Sequence, residues 1–262
     1  MGVAAVEFDL VPTRDGHLVI RHEPEFSRST DVANVPALAV AGKDGKWYSH
    51  DLTLAEIRQI HAREPEPEVR PASATFDGQF AVPSFADLLA VDFAQDRTLI
   101  VELKWGGYYF DEHGMDVATM LASELTAGGW LNRGAQLVIE SFDYGTLKRA
   151  KVALQGLFAG PQPKFVFLIG EFKMHEWGTV EAAVAGAVEA GFDGISFEKE
   201  LLSHALVDLA HHSGLTIYGW TLSAEEAETT VEEYFARYLE FDLDGIFVDH
   251  PDLLINFVDG LA

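Results

Sequence analysis

Apolar and polar residues alternate at the start of the chain, with Ala4, Val6, Phe8 and Leu10 on one parity and Glu7 and Asp9 on the other. A period of two predicts a strand with one apolar face. Further short runs rich in β-branched residues predict strands at Leu18 to His22, Leu99 to Leu103, Leu137 to Ser141, Phe165 to Ile169, Gly194 to Phe197, Leu215 to Trp220 and Gly245 to Val248. From Leu99 onward these alternate with helical periodicity around Val117 to Leu125, Phe142 to Ala150, Val180 to Ala190 and Leu201 to His212. Ser84-x-x-Asp87 and Ser223-x-x-Glu226 read as helix start signals. The alternation predicts βαβ units in an α/β fold with a mainly parallel sheet, rolled into a barrel or left open and doubly wound.

The opening is built differently. Arg14-Asp15-Gly16 supplies hairpin-turn chemistry between the first two strands. Residues 24–83 then interrupt the alternation, with a helix expected from Thr53-x-x-Glu56 to His61 and an extended, solvated loop at Glu64-Pro65-Glu66-Pro67-Glu68. We read this stretch as an insertion over one end of the sheet, within a single domain spanning 1–262.

Charge narrows the partners. The 262 residues carry 18 basic and 42 acidic side chains, a net charge of −24. Such a surface argues against nucleic acid or an anionic membrane surface as a partner. No apolar run approaches the roughly 18 residues of a membrane span, so stable membrane insertion is not expected. The absence of cysteine removes disulfides, thiolate nucleophiles and zinc-thiolate sites. The first ten residues lack the basic and apolar stretches of a secretory leader, which implies a cytoplasmic protein, or a periplasmic or secreted one whose leader is missing. Oligomeric state is left open.

Strand parity locates the candidate chemistry. Glu7 and Asp9 share one face of the first strand, and Glu102 and Lys104 share one face of the third. In a βα-barrel the inward face near the strand C-termini lines the active site, so all four would converge on one pocket. Carboxylates there must be protonated, paired or bound to a cation, and an all-oxygen ligand set favours Mg²⁺ or Ca²⁺ over zinc. Solvated acids on an edge strand are the competing reading of Glu7 and Asp9, and a salt bridge to Glu102 is that of Lys104. His50, His113, His175 and the pair His211-His212 are expected on solvated helices and loops.

Read together, these residues resemble the glycerophosphodiester phosphodiesterases. The ordered segments are Glu7-Phe8-Asp9, Thr13-Arg14-Asp15-Gly16, His22-Glu23, Arg28-Ser29-Thr30, Glu102-Leu103-Lys104, Ser141-Phe142-Asp143, Trp220-Thr221 and Asp249-His250-Pro251. Asp31-Val32, Lys46-Trp47-Tyr48, Asp51-Leu52-Thr53-Leu54 and an aromatic loop from Trp105 to Phe110 resemble the larger, periplasmic-type members. The resemblance implies a TIM (β/α)8-type barrel hydrolysing glycerophosphodiesters to sn-glycerol 3-phosphate and an alcohol. It implies a divalent cation, Ca²⁺ or Mg²⁺, on Glu7, Asp9 and Glu102. It further implies phosphate contact by Lys104, acid/base catalysis by His22, and packing of Trp220 on the glycerol or the leaving group.

Three departures stand beside it. No His-Arg-Gly strand and first helix precede Glu7, which implies seven of the eight barrel strands, loss of a histidine and an arginine, and an internal or misassigned start at Met1. Glu23 stands where the family has aspartate after the histidine, and Glu140 where relatives often carry glutamine. The alternatives are therefore a catalytically impaired phosphodiester-binding protein and a phospholipase-like enzyme acting on lipid head groups.

Overall fold

The computed structural model describes residues 2–38 and 45–260. Its eight strands are β1 Ala5–Pro12, β2 Leu18–Ile20, β3 Thr98–Leu103, β4 Leu137–Ser141, β5 Lys164–Ile169, β6 Gly194–Glu198, β7 Thr216–Leu222 and β8 Gly245–Val248. All join one sheet in the order β2-β1-β3-β4-β5-β6-β7-β8. The β1–β2 pair is an antiparallel hairpin, and every other pair is parallel. The sheet curls into a half-barrel of the TIM type, with the seven parallel strands that the sequence predicted. Among the described residues its ladder does not close between β8 and β1.

Twelve helices are described: α1 Leu54–Ile57, α2 Pro71–Ala74, α3 Phe85–Leu89, α4 Asp92–Gln95, α5 Gly106–His113, α6 Val117–Ala127, α7 Tyr144–Leu154, α8 Met174–Trp177, α9 Val180–Glu189, α10 His204–His212, α11 Val231–Leu239 and α12 Pro251–Asp259. Their apolar faces meet the outward parity of the strands. Leu10, Leu103, Ile139, Phe167 and Ile195 are buried in one cluster with Leu121, Leu147, Val184 and Leu206. Each such side chain contributes roughly 1.5–3 kcal/mol by leaving water. The opposite parity makes a smaller cluster, in which Ile100, Val138 and Val166 pack with Ala5, Tyr218 and Phe247.

Local signals act where nothing distant opposes them. Thr53 and Glu56 form a reciprocal capping box, as do Ser84 and Asp87. Thr13 and Gly16, at φ 84°, close the β1–β2 turn, with the Thr13 hydroxyl donating to Asp15. Three expectations are corrected. The helix after Thr53 ends at Ile57 rather than His61, because His61 and Ala62 form β-bridges with Ala81 and Thr30. Residues 64–68 are not simply extended: the chain turns, with the amides of Val69 and Arg70 both donating to the Glu66 carbonyl. Ser223 makes no cap bond and heads only a 3₁₀ turn, Ala224–Glu226, while Thr230 caps α11. Within that turn Glu225 is gripped bidentately by Arg70 at 2.9 and 2.8 Å, which ties the 24–83 segment to the loop after β7.

Candidate active site

Sheet register turns strand parity into a row of carboxylates. Asp9 lies opposite Glu102, and Glu102 lies opposite Glu140, on three neighbouring strands. Glu7 sits two residues before Asp9 on the same face, opposite Ile100, and Lys104 follows β3 two residues beyond Glu102. The apolar cluster of Ile100, Val138 and Val166 lies toward the N-terminal ends of the strands, and the acids line the cleft at the C-terminal ends. That cleft measures about 680 Å³. The solvated-edge reading of Glu7 and Asp9 therefore does not describe their surroundings.

The charges do not balance locally. Lys104 Nζ lies 2.8 Å from Glu102 Oε2 and 3.1 Å from Asp9 Oδ1, so the salt bridge expected for it exists. Glu7 Oε1 and Glu140 Oε2 are buried with no hydrogen-bond partner. One ammonium thus faces four carboxylates. Desolvation, reinforced by Asp9 and only partly offset by Lys104, raises the Glu7 pKa to about 8. Desolvation likewise outweighs Lys104 at Glu102 and raises it to about 8. Glu140 is pushed well above its ordinary value by burial and then by the charges of Glu7, Glu102 and Asp9. Burial pulls the Lys104 ammonium down, but Glu102 and Asp9 outweigh it and hold its pKa above the ordinary value.

A divalent cation fits this donor set. Glu7, Asp9 and Glu102 each offer an oxygen, all within 4.8 Å of one another, comparable with the diameter of a Ca²⁺ coordination sphere of about 4.6–5.2 Å. The unpartnered Glu7 oxygen and the excess of negative charge both favour a hard cation.

His22 follows the hairpin strand β2. The Arg21 amide donates to the Asp9 carbonyl at 2.9 Å, which brings the next residue to the cleft. Its ring is exposed, and Nδ1 meets Glu23 Oε1 at 2.8 Å. Desolvation opposes ionisation of Glu23, yet its hydrogen bond with His22 and the charges of His22 and Arg21 hold its pKa low. Trp220 also lines the cleft, its ring 5.2 Å from Phe142 and edge-on to it, and its indole Nε1 is buried without a partner. The structure thus brings Glu7, Asp9, Glu102, Lys104, His22 and Trp220 to one cleft.

Other lining residues were given no role by sequence reasoning. Phe142, Phe172, Tyr108 and Asp143 face the cleft, and so does Trp105. The expected aromatic loop from Trp105 to Phe110 is instead the start of α5, with Trp105 in left-handed backbone at φ 54°. A Cβ on Gly106 would lie 2.4 Å from the Thr146 side chain, and one on Gly107 2.7 Å from Asp143 Oδ2. This Gly-Gly pair was the available signal of close packing against α7. His50 is also corrected: it is buried, not solvated, with its ring 3.9 Å from that of His113 and 5.3 Å from Tyr48. Aromatic packing of the 24–83 segment on α5 overrides the polarity of its imidazole. The smaller motif residues serve structure: the Ser141 hydroxyl donates to Leu103, and Asp143 caps α7.

A half-barrel with clustered carboxylates, a lysine and a histidine at its strand C-termini has the parts of a phosphoryl-transfer site. The family model described as Glycerophosphoryl diester phosphodiesterase family matches residues 1–253, and the chain belongs to that family. A glycerophosphodiester phosphodiesterase of Haemophilus influenzae is 28% identical over 164 residues, 57% of this chain and 44% of that protein. The chain therefore matches less than half the length of that curated relative. Solved structures share the fold. One from Silicibacter pomeroyi is 22% identical with a TM-score of 0.76, covering 99% of this chain and 84% of that one. An Oleispira antarctica phosphodiesterase, solved in complex with the product sn-glycerol-3-phosphate, is 17% identical with a TM-score of 0.68, covering 98% and 86%.

Proposed function

We propose that this chain hydrolyses glycerophosphodiesters to sn-glycerol 3-phosphate and an alcohol. The observation that carries the reading is the set of three carboxylate oxygens, from Glu7, Asp9 and Glu102, gathered beside Lys104 in a cleft that His22 also lines. Glu7, Asp9 and Glu102 would hold a divalent cation, Ca²⁺ or Mg²⁺. When bound it supplies positive charge that offsets the carboxylates and the charge developing on the phosphoryl oxygens.

The chain's own groups do the rest. Lys104, pinned by Asp9 and Glu102, is aimed at the phosphate as a fixed point charge. In the reaction a water oxygen bonds to phosphorus, the bond from phosphorus to the alcohol oxygen breaks, and the alcohol leaves with a proton. His22 is the proton-transfer group: Glu23 holds Nδ1 and thereby orients the ring, leaving Nε2 to serve the leaving oxygen or the water. Trp220 gives the glycerol or leaving group an apolar wall.

A second reading, binding of phosphodiesters without turnover, is favoured by one observation: His22 is the one histidine among the described residues lining the cleft. One experiment separates the two. The chain is incubated with glycerophosphocholine and calcium, with and without chelator, and glycerol 3-phosphate is followed. Product that disappears with the chelator is expected; substrate bound without product would establish the second reading instead.

A further inference from the structure

His22 and Glu23 are exposed and lie outside any helix or strand, yet proton transfer requires the imidazole to keep one orientation. Their bond at 2.8 Å fixes the ring to Glu23 but does not fix Glu23 to the sheet. The residue before them does. Arg21 is half-buried, and its amide donates to the Asp9 carbonyl on β1 at 2.9 Å. Its guanidinium turns back into the chain that follows. Nη2 donates to the Glu25 carbonyl and to the Ser29 hydroxyl at 3.0 Å each, and the guanidinium carbon stands 4.7 Å from the centroid of the buried Phe26 ring. Residues 21–29 thus close around one cation, with His22 and Glu23 on the exposed side of the loop.

Holding a cation there is unfavourable by itself. Arg21 Nε is buried without a partner, and desolvation pulls the guanidinium pKa below its ordinary value although Glu23 and Glu25 oppose the shift. Arg21 is not among the residues that line the cleft, so it reaches a bound phosphate only through its neighbours. One of those neighbours is the carboxylate that holds His22. Desolvation would raise the Glu23 pKa, but the hydrogen bond with His22 and the charges of His22 and Arg21 hold it low. An ionised Glu23 accepts from Nδ1, which keeps the proton on that nitrogen and leaves Nε2 free to take one.

We propose that Arg21 is a positioning residue for His22: by clamping the 21–29 loop and standing beside Glu23, it sets the orientation and the tautomer of the imidazole. The assignment rests on the reading of His22 as the proton-transfer group, and it deepens that reading by naming what holds the ring in place. The loop has other ties, so the fold is expected to survive without the guanidinium. The Phe26 amide donates to the Trp47 carbonyl at 2.9 Å, the Ser49 amide to the Pro24 carbonyl at 2.8 Å, and the Ser27 amide to Glu25 Oε1 at 2.8 Å.

The test reads the ring before it reads turnover. Nitrogen NMR of the full chain at about pH 9, where histidine is neutral, reports which ring nitrogen of His22 carries the proton. Most molecules of the intact protein are expected to carry it on Nδ1, and fewer than about half of Arg21→Met. With glycerophosphocholine and calcium, kcat is expected to fall about 30-fold in Arg21→Met while KM changes less than about twofold, and Arg21→Lys is expected to recover to within about threefold. Added to His22→Ala, Arg21→Met is expected to lower kcat by less than about a further twofold, because the ring through which it acts is gone.

An unchanged tautomer in Arg21→Met would overturn the assignment. An equal loss of kcat in the His22→Ala background would overturn it too, making Arg21 a cation that only supports the loop. Should Arg21→Met melt below the assay temperature, Ser29→Ala decides, since it removes one partner of the guanidinium and keeps the charge. A tautomer shift in the same direction there supports the clamp, and no shift defeats it. Hydrolysis that Arg21→Met leaves intact defeats the positioning role and leaves the proposed function standing. A tautomer shift in a protein that hydrolyses nothing does the reverse.

Discussion

The two flanks of the sheet are built to different standards. On one, β3 and β4 are buried along nearly their whole length, and the row Asp9, Glu102 and Glu140 crosses them. On the other, every residue of β8 is only half-buried, and α12 behind it buries none of its residues. Both flanks contribute to the same cleft, the first through the carboxylates and Lys104, the second through Trp220, Phe247 and Asp249. The contrast has a physical cause. Four acids beside one ammonium need low-dielectric walls and fixed geometry for a cation to repay their desolvation, whereas an aromatic wall or an exposed aspartate works in a looser frame. The costly chemistry is placed where the packing is tightest.

The comparison breaks most visibly through activity. Glu102→Gln on the packed flank is expected to lower kcat/KM for a glycerophosphodiester about 10³-fold, the several kcal/mol of charge stabilisation that a bound cation supplies. Asp249→Asn on the open flank, where the side chain is exposed, is expected to cost less than about fivefold. Equal losses in steady-state kinetics would erase the distinction between the flanks.

Stability gives the second test. Ile139→Ala, at a fully buried outward position of β4, is expected to cost about 2–5 kcal/mol in urea unfolding. Val248→Ala on half-buried β8 is expected to cost less than about 1.5 kcal/mol by the same measurement. The reverse order would place the rigid frame on the other flank.

A third test sharpens the electrostatic side of the contrast. Glu7 and Glu102 have folded-state pKa values near 8, above their unfolded value of 4.5. Without metal the folded state therefore binds more protons than the unfolded state over that interval. The stability associated with these groups is present below pH 4.5 and is lost as pH rises through about 8. Melting temperature in chelator is expected to fall between pH 5 and pH 8.5, and calcium is expected to reduce the fall. A melting temperature that rises with pH in chelator would show that the carboxylates are already balanced.

Much of this site was legible because strand parity is local. Glu7 with Asp9, and Glu102 with Lys104, share faces by a period of two that needs no knowledge of neighbours. Capping at Thr53 and Ser84 was legible for the same reason, since donor and acceptor lie three residues apart. Ser223 carried the same signal and failed, because Arg70, more than 150 positions earlier, holds Glu225 in place. His50 was misjudged because burial depends on partners such as His113 and Tyr109, which the turn at Trp105 delivers from a distant segment.

By itself, then, the order of residues determined which side chains face one way, where the strands and most helices begin, and which ordered motifs mark the family. Only the tertiary structure decided that Lys104 lies between Asp9 and Glu102, that Glu140 is a fourth acid in the same low-dielectric pocket, and that Trp105 stands open at its mouth. The reason is one of range. Periodicity and capping act over a few residues, whereas desolvation and charge pairing depend on sheet curl and register, which bring together positions about a hundred residues apart.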